Sequence, residues 1–162
     1  MTRSHPVSLV LVLLLAAAGC GGGANLATAA RISDVTTGWY DSGVTEDGKN
    51  KLVPSISFRI TNAARETLGS TQLNLIFKRV TDTEEWTTSF VRGVGTEGLA
   101  PGAATPPIVV RAQQGYTGTQ ARLTMLQNAQ FVDFKVEIFG KHASATWVKL
   151  GEYKIERQLL TQ

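Results

Sequence analysis

Val132-Asp133-Phe134-Lys135-Val136-Glu137-Ile138 alternates apolar and charged residues without interruption. That is the period of a strand with one face in a core and the other in water. Working outward, most of the chain repeats the pattern. Ile32, Val35 and Trp39 mark an imperfect first strand. Leu52, Ile56, Phe58 and Ile60 oppose Ser55, Ser57, Arg59 and Thr61 in the second, where Pro54 lacks a ladder donor and predicts an edge or regular pairing only beyond it. Leu73, Leu75 and Phe77 give the third inward face; after the acidic turn Asp82-Thr83-Glu84-Glu85, Trp86, Thr88 and Phe90 give the fourth. Pro106-Pro107 leads into a short fifth strand, Ile108-Val109-Val110, and Trp147 to Arg157 makes the last.

One segment breaks the rule. Across Thr119 to Gln130, Leu123 and Leu126 lie three apart and Ala121, Met125 and Ala129 four apart, which predicts a short helix with Thr119 as its cap. A strand through Ala121, Leu123 and Met125 competes, since so short a segment does not decide its own period. The last strand also slips: Val148 and Leu150 are in one phase, Tyr153 and Ile155 in the other, with Gly151 between them. A β-bulge at Gly151, taking positive φ, would restore one inward face, and the bulge would shape a sandwich edge that a partner meets.

The expected fold is all-β: an antiparallel immunoglobulin-like β-sandwich of about seven strands, with one short helix before the sixth strand. The strand spacing and the loop Leu99-Ala100-Pro101-Gly102 before the fifth strand resemble the small immunoglobulin-like domains of bacterial envelope lipoproteins. That resemblance spans roughly Arg31 to Leu160. It rests on pattern, without the disulfide or the cysteine and tryptophan spacing of antibody domains.

Ahead of the strands, Arg3 and His5 precede Val7 to Ala18, of which eleven residues in twelve are apolar. A basic start followed by a short apolar run is the plan of a signal peptide. Twelve helical residues reach about 18 Å, short of the roughly 30 Å hydrocarbon core, so a permanent span is not expected. The run ends in Ala17-Ala18-Gly19-Cys20, which resembles the lipobox of bacterial lipoproteins, although leucine is that family's commonest residue where Ala17 stands. The resemblance implies acylation of Cys20 and cleavage before it. Two or three acyl chains anchor firmly. Because Gly21, and not the aspartate that retains some enteric lipoproteins in the inner membrane, follows the cysteine, the expected location is the bacterial envelope, on the periplasmic side of the outer membrane.

The organisation reads as a signal peptide over residues 1–19, a lipidated Cys20 with a glycine- and alanine-rich tether over 20–30, and a sandwich domain over 31–160. The chain has 162 residues, 43% hydrophobic and 18% charged, which excludes long disorder and coiled coil for the body. Beyond Gly19, 15 Lys and Arg against 13 Asp and Glu leave a net charge of +2, without the basic stripe that nucleic acid requires.

No motif points to chemistry. Gly93-Val94-Gly95-Thr96-Glu97-Gly98 has the glycine spacing of a phosphate loop, but Pro101 follows where such a loop opens a helix, so no nucleotide is expected. His142 is alone in a turn, and with Cys20 acylated no thiol remains for zinc. Asp82, Glu84 and Glu85 read as a solvated turn in preference to a calcium site, and nothing selects Asp34, Asp41 and Glu46 as a hydrolytic pair. Hence no catalytic residue, metal or cofactor is expected.

The aromatic residues are the material for binding. Phe58, Phe77, Phe90 and Phe134 are in phase with inward faces. Tyr116, within Gln113-Gln114-Gly115-Tyr116-Thr117-Gly118, is the candidate ligand-binding residue, against a reading in which it folds back onto the core. The functional expectation is a membrane-anchored, non-catalytic interaction or structural module whose partner is another envelope component. The alternative is a binding module for a small apolar or glycan ligand, with an enzyme ranked last.

Overall fold

A computed structural model describes residues 25–160 of the chain. The expected signal peptide and Cys20 lie outside the described residues. Nine strands and two short helices follow in the order α1 (Leu26–Ala29), β1 (Ala30–Val44), β2 (Asn50–Asn62), β3 (Thr71–Arg79), β4 (Thr87–Val94), β5 (Ile108–Arg111), β6 (Tyr116–Gly118), α2 (Arg122–Gln127), β7 (Phe134–His142), β8 (Val148–Ile155) and β9 (Leu159–Leu160). All seven expected strands are present, joined by two short ones, β6 and β9.

They form two sheets, β5-β2-β1-β9 with β6 also on β2, and β4-β3-β7-β8. Every pairing is antiparallel except that of β9 with β1. The two sheets face each other as an immunoglobulin-like sandwich. Between them lie Trp39, Leu52, Ile56 and Phe58 from one sheet and Leu75, Phe77, Phe134 and Ile138 from the other, all fully buried. Each such side chain contributes about 1.5–3 kcal/mol relative to exposure. After β8 the chain leaves its sheet and crosses to β1, where Trp39 N–H donates to Gln158 O at 2.8 Å and Thr37 Oγ1 donates to Lys154 O at 2.8 Å. One side of the sandwich is thereby closed.

Irregular alternation in the sequence has structural causes. In β1, Ser33 faces Arg59 and Thr36 faces Ser57, so Asp34 and Val35 together oppose one residue, and Asp34 takes φ 51°. This bulge moves the inward phase from Ile32 to Thr37 and Trp39. In β8, Lys149 faces Phe139 and Gly151 faces Ile138, which leaves Leu150 as the extra residue. The expected bulge is therefore present, but the positive-φ glycines are Gly43, Gly48, Gly98 and Gly102, and Gly151 is not among them. Positive φ is therefore not what requires glycine at position 151.

Pro54 lies inside β2, not ahead of it. Its carbonyl accepts from Ala112 N–H at 2.9 Å. Its nitrogen points the same way, into the interval between the β6 pairing, which ends at Leu52, and the β5 pairing, which begins at Ser55. Pro54 and Ala112 thus form a hydrogen-bonded pair of which proline cannot return the second bond, and the β5 ladder stops at Ser55–Arg111.

Three further expectations are corrected. Phe90 is 69% exposed. Leu73 opposes Val91 and Leu75 opposes Ser89, so the inward phase of β4 is that of Val91. Trp86 packs on the core from just before the strand and does not set its phase. The helix is present, but Ala121 stands at its N-cap without a side-chain bond, so Thr119 does not cap it, and Leu123 is exposed while Met125 and Leu126 are buried. Lastly, the tether does not extend to Ala30. Asn25 Oδ1 caps α1 by accepting from Ala27 N–H at 3.1 Å, and Leu26, Ala29 and Ala30 belong to the core. Gly140 makes this docking possible, because a Cβ there would lie 2.9 Å from Leu26 Cδ2.

Candidate functional site

Tyr116 sits at the end of the sandwich away from α1. The strand that carries it, β6, is held against β2 by pairs from Asn50–Gly118 to Leu52–Tyr116. Lys51 Nζ donates to Gln113 O at 3.1 Å and Asn50 Nδ2 to Gln120 O at 2.8 Å, so both flanks of the short strand are tied to β2. Gly115 is required for the approach. A Cβ at this position would overlap the carbonyl oxygen of Leu52.

The tyrosine ring does fold onto the core. Its centroid is 4.7 Å from Phe131, 5.6 Å from Trp39, 5.9 Å from Phe134 and 6.0 Å from Trp86. Yet it also lines an open cleft of about 260 Å³ with Thr117, Gly118, Gln120, Met125, Asn128, Gln130 and Phe131. The two readings of Tyr116 are compatible: one face is floor, the rest is packing. Beneath the cleft, Trp39 Nε1 and Tyr116 Oη are buried and find no hydrogen-bond partner in the protein. Most buried polar atoms in a fold are paired, so two without partners beside one cleft distinguish this end of the sandwich.

Of this constellation, the sequence pointed only to Tyr116. Gln120, Asn128, Gln130 and Phe131 reach the cleft because the chain wraps through α2 between β6 and β7. The available signal was Phe131 beside the amides Asn128 and Gln130, an aromatic ring among short polar side chains.

The charged groups are arranged differently. Asp41, Asp47, Asp133, Glu137 and Glu152 all lie below their ordinary pKa, each first because of a hydrogen bond from a basic side chain: Arg122, Lys49, Arg157, Lys78 and Lys149 respectively. Glu152 is lowered to about 2. Burial raises Tyr153. Carboxylates held ionised in this way are poor proton donors near neutral pH. Asp34 pairs with Arg59 at 3.4 Å and Asp41 with Arg122; seven residues apart on β1, they are about 23 Å from one another.

Among the described residues, no three His, Cys, Asp or Glu groups converge as metal ligands. His142 is more than a solvated turn residue: it ends β7, with Nδ1 3.0 Å from Ser70 O and 3.4 Å from Thr71 Oγ1. In the glycine-rich segment, Gly98 N–H donates to Gly95 O at 3.2 Å to close a turn after β4, and the Glu97 carboxylate folds over Gly95. A carboxylate there repels phosphate.

No family model matches the chain, and no curated protein matches it. Two solved structures are similar to it at low identity. One is the X-ray structure of the Northeast Structural Genomics Consortium target SoR45, 13% identical, covering 81% of this chain and 89% of its own, with a TM-score of 0.46. The other is the solution structure of AT1g01470 from Arabidopsis thaliana, 11% identical, covering 83% of each chain, with a TM-score of 0.41.

Proposed function

We propose that this chain is a lipid-anchored protein of the bacterial cell envelope whose β-sandwich holds another envelope component and performs no chemistry. The observation that carries the reading is the placement of the two ends. Asn25, capping α1 at one end, is five residues from Cys20, while the Tyr116 cleft lies at the other end of β1. Nine steps of strand from Ala30 to Trp39 separate them by about 30 Å. A chain held at Cys20 therefore presents the cleft away from the bilayer, toward the space where a partner resides. Gly21 after the cysteine favours the outer membrane and its periplasmic side. Among the described residues, no helix is long and apolar enough to cross a membrane.

The cleft supports a second reading, in which it takes a small ligand, apolar or glycan. Aromatic rings beneath amide side chains suit the faces and hydroxyls of a sugar.

Two experiments test the proposal. Mass spectrometry of the protein extracted from membranes should find Cys20 as an acylated N-terminus, and Cys20→Ala should leave an uncleaved or soluble form; a Cys20→Ala chain that still takes up labelled fatty acid overturns the anchor. Photo-crosslinkers at Gln120 and Gln130 should trap one envelope protein reproducibly from intact cells. Trapping none, with saturable binding of an oligosaccharide that Tyr116→Ala abolishes, favours the ligand reading over the partner.

A further inference from the structure

The outer face of the β4-β3-β7-β8 sheet is divided by charge. In its half toward the Tyr116 cleft, lysines are matched: Lys78 lies 2.8 Å from Glu137, Lys149 3.0 Å from Glu137 and 2.6 Å from Glu152, and Lys135 3.1 Å from Glu152. Toward α1 the matching stops. Gln72 of β3 pairs with Arg92 on one side and Lys141 on the other, which sets two cations in one row. Among the described residues, neither has a carboxylate partner.

Aromatic rings accompany these cations. Lys141 Nζ lies 4.7 Å from the Trp147 ring centroid, and the Trp147 and Phe90 rings are 6.1 Å apart. Among the described residues, Phe90 is the most exposed of the large apolar side chains. An exposed phenylalanine and a half-buried tryptophan beside unmatched cations have the chemistry of a surface that settles into lipid headgroups: the rings take the boundary between water and acyl chains, and the cations meet anionic phosphates.

The start of the chain places this patch. Asn25 and Leu26 line one cleft with Lys141, His142 and Val148, so the β7–β8 hairpin adjoins the first described residue. From Cys20 to Asn25 there are five Cα steps, at most about 18 Å of extended chain. An anchor this short confines the patch to the neighbourhood of the bilayer and raises its local concentration there.

We infer that Arg92, Lys141, Trp147 and Phe90 form a membrane-docking surface for anionic lipid, which orients the sandwich on the bilayer. This rests on the lipid-anchor reading above. The full chain, purified from bacterial membranes, is reconstituted into vesicles with brominated acyl chains, with and without phosphatidylglycerol in phosphatidylcholine. Trp39 is fully buried and Trp86 packs on the core at the other end of the sheet, so bromine quenching of tryptophan fluorescence reads Trp147. The expected result is quenching in anionic vesicles, at least threefold weaker with Arg92→Glu plus Lys141→Glu or in high salt, and lost in Trp147→Phe. If Cys20 is acylated by mass spectrometry but quenching matches that of Trp147→Phe, the docking surface is refuted and the anchor stands. Quenching indifferent to the charge reversals removes anionic lipid as the occupant. A photo-crosslinker at position 147 that traps a protein, without quenching, makes the patch a protein contact instead. An unmodified Cys20 removes the anchor reading and this inference together.

Discussion

The two ends of the sandwich are stabilised by different means. At the α1 end, polar side chains are buried and used. Asn62, 1% exposed, donates through Nδ2 to Glu66 O and Leu99 O, both at 2.8 Å, and accepts at Oδ1 from Ala64 N–H at 2.9 Å. Thr105 Oγ1 accepts from Ile60 N–H at 3.1 Å. Loops there are fixed by side chains that replace missing ladder partners. At the cleft end, five aromatic rings from separate parts of the chain pack together, and the indole and phenol polar atoms are left without partners. Hydrogen-bonding capacity is spent internally at one end and kept in reserve at the other. The recognition site proposed above lies at the second end.

The largest expected effect tests the first half of this contrast. Asn62→Ala strands the Glu66 carbonyl and the Ala64 N–H and removes one of two donors from the Leu99 carbonyl, which keeps Leu68 N–H, and should lower stability by about 3 kcal/mol in urea unfolding. A loss under 1 kcal/mol would mean that water replaces the side chain and that the end is less closed than described. Next in size, Gly115→Ala drives a methyl group into the Leu52 carbonyl and should cost about 2 kcal/mol as β6 moves off β2. Ligand or partner capture at the cleft should fall with it. Unchanged capture would detach function from the β6 position.

Acid should weaken the protein by a smaller amount, chiefly through the paired half of the outer sheet face. Glu152 has a folded pKa of about 2 against an ordinary 4.5. Its contribution is therefore complete above about pH 4.5 and is lost as pH falls toward 2. The group is largely solvated, so screening limits the effect to below about 1 kcal/mol. The difference in melting temperature between pH 5 and pH 2.5 should shrink in Glu152→Gln and in 1 M salt; an unaltered difference assigns acid sensitivity to other groups. Smallest of all should be Tyr116→Phe. Removing an unpartnered hydroxyl should change stability by no more than about 0.5 kcal/mol, in either direction. The same substitution should nevertheless reduce binding in the cleft. A loss of 1.5 kcal/mol or more in the free protein would show that Oη has an internal partner, and the contrast between the ends would close.

Much of the architecture was legible in particular residues. The run from Val132 to Ile138 gave β7 and its faces, and the phase slip at Gly151 pointed to the β8 bulge in preference to a strand that switches between sheets; the bulge keeps Val148, Leu150, Tyr153 and Ile155 on one face. Phe90 was misjudged for a related reason. Trp86 packs on the core from just before β4 and so suggests the wrong phase for it, and a one-residue shift reverses every side chain. Of the cleft, only Tyr116 was visible, since Phe131 and the amides approach it from segments 12 and 14 residues away, counted from Tyr116 to Asn128 and Gln130, and their convergence is set by the path through α2.

The sequence by itself determined the periodic properties: strand faces, the bulge, the all-β class and the lipobox resemblance at Cys20, all of them local because burial patterns and short motifs are written in neighbouring residues. Tertiary structure alone decided that Leu26 docks beside Gly140, that Lys141 and Arg92 share a row, and that Trp39 Nε1 and Tyr116 Oη are left unpaired beneath one cleft. Those outcomes depend on which distant segments pack together and on the exact register of the sheets, which no local pattern specifies.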